Sequence, residues 1–141
     1  MRKKQILILD CNGQNKPVIC FNLEVAGFDI RVVTDEDEAI NLLSHSRITE
    51  EHFSGLVVNN PYLNVDITKL VEDVRGIGVE IPVVFVKESQ SLKQIVQALN
   101  IQYGQPRLYY AEPTSVVEML SRLTEQDNSS NIISHAASLH R

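Results

Sequence analysis

The sequence predicts an α/β fold in which five parallel strands, in the order 2-1-3-4-5, form a doubly wound sheet. Short apolar runs alternate five times with longer segments whose apolar residues recur every three to four positions. The short runs have no polar face, which is typical of parallel strands that are covered by helices on both sides. Right-handed crossovers with short connections then favour this strand order.

Each strand is predicted from a compact apolar run that ends at turn residues or at a charged residue. The five runs are residues 5–10, 29–33, 54–59, 81–87 and 107–111. They are rich in Ile, Leu, Val and Tyr, and all but the last lead into a helical pattern after a short polar stretch. The last run leads into its helix at Pro113, which suits a first helical turn.

Five helices are predicted after the five strands. The first begins near Pro17 and stops at Gly27, and the second opens with Thr34 and acidic residues that favour a helix amino terminus. The apolar residues of the first helix are Val18, Ile19, Leu23 and Ala26. The inward-facing residues predicted for the later helices are Ile40, Leu42 and Leu43, then Ile67, Leu70, Val71 and Val74, then Leu92, Ile95, Val96 and Leu99, and finally Val116, Val117, Leu120 and Leu123.

The composition limits the classes of function. The chain has 141 residues, 43% of them hydrophobic, and a net charge of −5 without a Lys/Arg cluster, so direct binding to nucleic acid or to an anionic membrane is disfavoured. The amino-terminal apolar run is too short for a signal peptide, which favours a cytoplasmic protein. Residues 1–124 are predicted to form one domain. Residues 125–141 are predicted to be a polar tail or linker, or alternatively an extension of the last helix.

The cysteines and histidines do not have the spacing of a metal site. Cys11 and Cys20 lie nine positions apart without a CxxC motif, and Cys20 is predicted to be a buried thiol. The four histidines, His45, His52, His135 and His140, are predicted to be solvated. No metal or cofactor is predicted.

Polar residues follow the strands at the carboxyl edge of the sheet, where ligand-binding and active sites lie in such folds. They are Asp10 and Cys11 after strand 1, Asn59 after strand 3, Lys87 after strand 4 and Glu112 after strand 5. In a doubly wound sheet the carboxyl ends of strands 1 and 3 flank the point at which the strand order reverses. A candidate site is therefore expected there.

Four stretches, taken in order, resemble a response-regulator receiver domain over about residues 3–124. They are "ILILDCN", "LEVAGFDIRVVTDEDEAINLL", "IPVVFV" and "LYYAEP". In that family an aspartate after strand 3 accepts a phosphoryl group, and acidic residues after strand 1 help to hold Mg²⁺. The resemblance places the phosphoacceptor position at Asn59 and the acidic pair at Asp10 and Cys11. An amide is not a nucleophile toward phosphorus, so neither aspartyl phosphorylation nor a tight Mg²⁺ site is expected.

The resemblance also implies three positions that contact or respond to the phosphoryl group. The hydroxyl position falls on Lys87, the lysine position on Glu112 and the switch aromatic on Tyr109. One hypothesis is that the Lys87 ammonium pairs with Asp10 or Glu112, and the alternative is that these side chains point into solvent. For Tyr109, packing for its ring area is favoured over a switching role.

The predicted function is that of an atypical receiver, a pseudo-receiver of two-component or phosphorelay signalling that is not an enzyme. It would act by binding a protein partner or its own output domain, or by homodimerising through the face made by helix 4, strand 5 and helix 5, which the resemblance implies. One alternative is a phosphorylatable receiver with a displaced acceptor such as Asp66. Another is a flavodoxin-like domain that binds a small ligand, although "DCNGQNKP" contains a single glycine. A thiol role for Cys11 is a further alternative.

Overall fold

The computed structural model describes residues 3–11, 18–46, 52–59, 61 and 67–132, with side chains described as far as residue 124. Five parallel strands form one sheet in the order β2-β1-β3-β4-β5, as the sequence predicts. The strands are β1 (Gln5–Asp10), β2 (Asp29–Val33), β3 (Phe53–Asn59), β4 (Val83–Val86) and β5 (Leu108–Ala111).

Helices follow all five strands. They are α1 (Val18–Val25), α2 (Glu36–Ser46), α3 (Ile67–Ile77), α4 (Gln90–Tyr103) and α5 (Val116–Ile132). The strand β4 is shorter than predicted at its amino end, because Pro82 has no N–H to donate to a neighbouring strand. The Pro82 carbonyl still accepts a bond of 3.0 Å from the Leu56 N–H, so the sheet pairing begins beside it.

The core consists of two layers, one on each face of the sheet. Strand residues that alternate in sequence enter opposite layers: Leu7 and Leu9 face α2, α3 and α4, whereas Ile6 and Ile8 face α1 and α5. All four are buried. Apolar strands without a polar face are therefore explained by helices that cover both sides of the sheet. All of the predicted inward-facing residues of α2 to α5 are buried or half-buried and pack in these layers.

The first helix turns a different face inward from the one that its apolar residues suggest. Its buried residues are Ile19, Cys20 and Leu23, whereas Val18 is 79% exposed and Ala26 is also exposed. The prediction for Cys20 is confirmed. The helix ends at Val25, and Gly27 stops it as predicted, with a φ of 100° that suits glycine and a bond of 3.1 Å from the Phe28 N–H to the Leu23 carbonyl.

The last helix continues beyond the predicted domain boundary at residue 124. Its backbone is helical to Ile132, which agrees with the alternative that part of the tail extends the helix. The Lys4 ammonium donates a hydrogen bond of 2.8 Å to the Thr124 carbonyl and so ties α5 to the start of β1. Residues 133–141 lie outside the described part of the chain. None of the helices that the structure describes is long and apolar enough to cross a membrane.

Substitution of a fully buried residue at the centre of the sheet tests this packing. Phe85 in β4 is fully buried, and we expect Phe85→Ala to lower the free energy of unfolding by about 3–5 kcal/mol through lost burial and a cavity. Urea unfolding followed by circular dichroism measures the effect. The matched control is Ile101→Ala on α4, where the side chain is 87% exposed and the change should be within about 0.5 kcal/mol. Equal effects of the two substitutions would contradict the described core.

Candidate functional site

The candidate site lies where β1 and β3 end side by side. Asp10 and Asn59 are directly paired in the register of these strands, and the Asp10 side chain is fully buried. The Asn59 Nδ2 donates a hydrogen bond of 3.0 Å to Asp10 Oδ1. The Cys11 N–H donates to the Asn59 carbonyl over 3.0 Å and continues the pairing by one residue. The structure therefore brings together all three residues that the sequence predicts here.

The Asn59 amide donates a hydrogen bond to the Asp10 carboxylate, which is buried from water. A buried ionised carboxylate is unstable unless it is hydrogen-bonded, and a bond from an N–H group to a charged oxygen is among the stronger ones. Because the Asn59 side-chain nitrogen faces Asp10, Asn59 contributes a hydrogen-bond donor to the site. It supplies neither a negative charge nor a nucleophile.

The Cys11 thiol is held in its protonated form at neutral pH. Burial raises the pKa of Cys11 from 9.0 to about 11, helped by the negative charges of Asp10 and Glu36, while the charge of Lys87 acts in the opposite direction. The reactive form of cysteine is the thiolate, so this environment deactivates the sulfur. The alternative of a thiol role for Cys11 therefore has no support in the electrostatics of the site.

The Lys87 side chain makes a contact that the sequence did not predict. Its Nζ donates a hydrogen bond of 2.9 Å to the carbonyl of Pro61, in the connection that follows β3. Among the described residues, the salt bridge within 4.0 Å is Lys69–Asp73, so the hypothesis that Lys87 pairs with Asp10 or Glu112 is wrong. The alternative, that these side chains point into solvent, is wrong for the half-buried Lys87 and agrees with the position of Glu112. Glu112 is exposed.

Lys87 contacts Pro61 because of the local geometry at the end of β4. The Lys87 N–H donates to the Ala111 carbonyl over 3.2 Å, which fixes the residue beside β5 while its side chain reaches toward the β3 side. The Pro61 residue is buried there, so its carbonyl has little access to water and accepts a hydrogen bond from the lysine. Sequence spacing places Lys87 and Pro61 at the same sheet edge, but it does not give the distance between them.

The two tyrosines of β5 point to opposite faces of the sheet. Tyr109 packs in the layer of α1 and α5, and it lines a cleft of about 230 Å³ with Pro82 and Arg107, away from the candidate site. Tyr110 packs in the layer of α2, α3 and α4. The ring-packing interpretation of Tyr109 thus agrees with where it lies, and its role as a switch-position equivalent stays a prediction.

Tyr110 is a site-adjacent residue that the sequence analysis missed. Its hydroxyl accepts a hydrogen bond of 3.0 Å from the backbone N–H of Ser89, and the Ser89 side chain in turn caps α4 by accepting from the Leu92 N–H over 3.1 Å. Strand alternation was the available signal, because residues 108 and 110 share the face that α4 covers. Tyr110 therefore connects β5 to the start of α4.

The residues at this edge do not fit Mg²⁺, the ion that the resemblance implies. Mg²⁺ prefers carboxylate and water oxygens, but Cys11 is a protonated thiol and the Asn59 nitrogen faces the Asp10 carboxylate. Within the described ranges, no group of three or more His, Cys, Asp or Glu side chains is placed to share a metal ion. The chemistry of the donor set therefore argues against a magnesium site.

Several other predicted residues are placed by the structure or lie beyond it. His45 and His52 are exposed, as predicted. Pro17, Asp66, His135 and His140 lie outside the described residues, so the displaced acceptor Asp66 is not tested.

Comparison with solved structures shows that the fold is that of response-regulator receiver domains. The receiver domain of the Francisella response regulator 1452 matches 89% of this chain and 99% of its own, with a TM-score of 0.63 and 17% identity. A CheY-like receiver protein from Methanospirillum hungatei matches 90% and 98%, with a TM-score of 0.62 and 18% identity. The receiver domain of an HD domain-containing protein from Pseudomonas fluorescens matches 93% of both chains, with a TM-score of 0.62 and 16% identity.

No protein-family model and no curated protein matches the chain. At identities below 20%, the likeness establishes the fold, so the function of the site has to be argued from its own residues.

The raised pKa of Cys11 predicts slow alkylation. At pH 8 we expect iodoacetamide to modify Cys11 about 100-fold more slowly in the folded chain than in the urea-unfolded chain, because a two-unit shift lowers the thiolate fraction by that factor. The rate should still be rising at pH 10. Peptide mapping by mass spectrometry resolves Cys11 from Cys20. A folded-state rate that levels off near pH 9 would contradict the described environment.

Adding a carboxylate at position 59 tests the contact with Asp10. In the variant Asn59→Asp, two acidic groups face each other across the distance now spanned by the hydrogen bond, so the pKa of the new carboxyl should rise above its unfolded value of about 3.9. The folded state then binds more protons than the unfolded state. The free energy of unfolding should therefore fall, relative to the unsubstituted chain, by about 3 kcal/mol between pH 4 and pH 7.

The control for this variant is Asn59→Ala, which removes the donor without adding a charge. Its deficit in unfolding free energy should change much less with pH than that of Asn59→Asp. Chemical unfolding at several pH values measures both variants. If the two pH profiles coincide, the side chain at position 59 does not face the Asp10 carboxylate as described.

Proposed function

We propose that this chain is a receiver-fold signalling module that acts through protein–protein contacts and is not switched by aspartyl phosphorylation. The observation that carries the proposal is the bond from Asn59 Nδ2 to Asp10 Oδ1. It stands at the position where the resemblance implies a reactive carboxylate. An amide that is engaged with a buried carboxylate cannot accept a phosphoryl group.

Two further residues at the sheet edge support this proposal. The Lys87 ammonium donates to the Pro61 carbonyl, at the position where the resemblance implies a hydroxyl that contacts the phosphoryl group. Glu112 places an exposed negative charge after β5, where the resemblance implies a lysine that contacts phosphate. A carboxylate at that position would repel a phosphoryl group instead of stabilising it.

The proposed partners are a separate protein, an output domain of the same protein or a second copy of this chain. The face formed by α4, β5 and α5 is the candidate surface for these contacts. It carries the exposed Ile101 on α4, and the Tyr110–Ser89 bond joins β5 to α4 behind it. Receiver domains from a hybrid histidine kinase and from an HD domain-containing protein share the fold, which supports the proposal of an attached output domain. We place the protein in the cytoplasm as part of the same proposal.

A phosphodonor assay tests the proposal. Incubation of the chain with acetyl phosphate and Mg²⁺, followed by intact-mass analysis, should give no added phosphoryl mass. The control is the combined variant Cys11→Asp, Asn59→Asp, Lys87→Thr and Glu112→Lys, which restores the residue types that the resemblance implies at the four positions. We expect this variant to gain a phosphoryl group that is labile to hydroxylamine.

The outcome that overturns the proposal is phosphorylation of the unsubstituted chain. Peptide mapping would then locate the acceptor, and modification at Asp66 would establish the displaced-acceptor alternative in its place. A protein partner captured by both the unsubstituted chain and Asn59→Ala would support action through surfaces without phosphotransfer.

A further inference from the structure

The outer face of α1 carries an exposed apolar stripe. Val18, Phe21 and Val25 are 79%, 68% and 71% exposed. They lie three and four positions apart, so they form one line along the helix. This line lies opposite the buried face formed by Ile19, Cys20 and Leu23. We refer to Val18, Phe21 and Val25 as the α1 stripe.

Exposure of this kind is concentrated on α1. Among the residues that the structure describes, the large hydrophobic side chains with high exposure are the α1 stripe and Ile101 on α4. Scattered single apolar residues are common on protein surfaces, whereas three contiguous ones that include a phenylalanine mark a contact surface. Ile101 has no such neighbours along its own helix and serves below as a comparison.

The start of β2, which follows α1, and the helix α5 are both bonded to Lys4. The Lys4 carbonyl accepts a bond of 3.0 Å from the Asp29 N–H, just after the turn that ends α1. The Lys4 Nζ donates a bond of 2.8 Å to the Thr124 carbonyl in α5. The helices α1 and α5 also contact each other. Because α1 and α5 both run from the carboxyl edge of the parallel sheet back to its amino edge, residue 124 lies at the edge where α1 ends.

The segment that follows α5 has the composition of a partner for this stripe. Residues 133–141 read "ISHAASLHR", with Ile133, Ala136 and Leu139 at intervals of three and no acidic residue. Fully extended, nine residues span about 30 Å. To reach the stripe, the segment has to run back beside the last eight residues of α5, a distance of about 12 Å, and the stripe itself is about 10 Å long. Nine extended residues are therefore long enough to cover the stripe.

We propose that residues 133–141 of this chain pack against the α1 stripe within the same molecule. A second copy is the weaker occupant, because three side chains on an eight-residue helix fall well short of the roughly 800 Å² per partner that a stable interface buries. An attached segment needs less surface, since the covalent connection gives it an effective concentration in the millimolar range.

This contact would cover the helix that follows the Asp10–Cys11 end of β1. Any partner that uses the outer face of α1 would first have to displace residues 133–141, so the segment would act as an intramolecular competitor. The inference concerns a different surface from the phosphoacceptor position. It therefore stands or falls independently of whether Asn59 prevents phosphorylation.

Hydrogen–deuterium exchange of the full chain tests the inference. We expect the amides of residues 133–141 to exchange at least about tenfold more slowly than in an unstructured peptide of the same sequence. Phe21→Ser should abolish this protection, and Leu139→Ser should do the same from the other side of the contact. Ile101→Ser is the matched control, because it removes an equally exposed apolar side chain from α4 and should leave the protection unchanged.

Three results would overturn the inference. The first is exchange of residues 133–141 at the unstructured rate in the unsubstituted chain. The second is protection that survives Phe21→Ser, which would place the segment elsewhere. The third is protection that rises with protein concentration, together with dimers in analytical ultracentrifugation that Phe21→Ser abolishes, which would assign the stripe to a second copy. Unfolding curves check that each variant is folded. We expect Phe21→Ser and Ile101→Ser to fold because both side chains are exposed.

Discussion

The pairing of β1 with β3 is the constraint on which the rest of the structure depends. From Ile6 onward the two strands run in parallel register to the pair Asp10–Asn59. Because successive side chains point to opposite faces, this register assigns alternate residues to the two helical layers. A slip by one residue would move each apolar side chain of β1 to the other layer and would separate Asp10 from Asn59. Core packing and the candidate site therefore depend on one alignment.

That alignment leaves the buried Asp10 carboxylate at the carboxyl edge of the sheet. A buried carboxylate requires hydrogen-bond donors, and the neighbouring residues of the site are arranged around it. Asn59 donates to Asp10, and Lys87 donates to the carbonyl of Pro61. Burial and neighbouring acidic groups keep the Cys11 thiol protonated. Each of these groups is satisfied by, or deactivated through, its protein neighbours. These contacts support the proposal that the chain acts through the surfaces of its fold.

The surfaces differ in how they are built. Near α4, Tyr110 bonds the Ser89 backbone and Ser89 caps the helix, so β5 and α4 are joined by specific hydrogen bonds. On α1, three apolar side chains face outward with a polar helix surface around them. The helices α4 and α1 lie on opposite sides of the sheet, and Lys4 bonds both the start of β2 and α5 at the opposite edge from the candidate site.

The sequence by itself determined the five strands, their order, and which strand ends carry Asp10, Asn59 and Lys87. These features follow from periodicity and from short connections, which are properties of neighbouring residues. Only the tertiary structure decided that Lys87 contacts Pro61, that the Tyr110 hydroxyl accepts a bond from the Ser89 N–H, and that α1 exposes Val18. The physical reason is that each of these depends on distances between segments far apart in the chain. Such distances are set when helices pack on the sheet, and no local pattern encodes them.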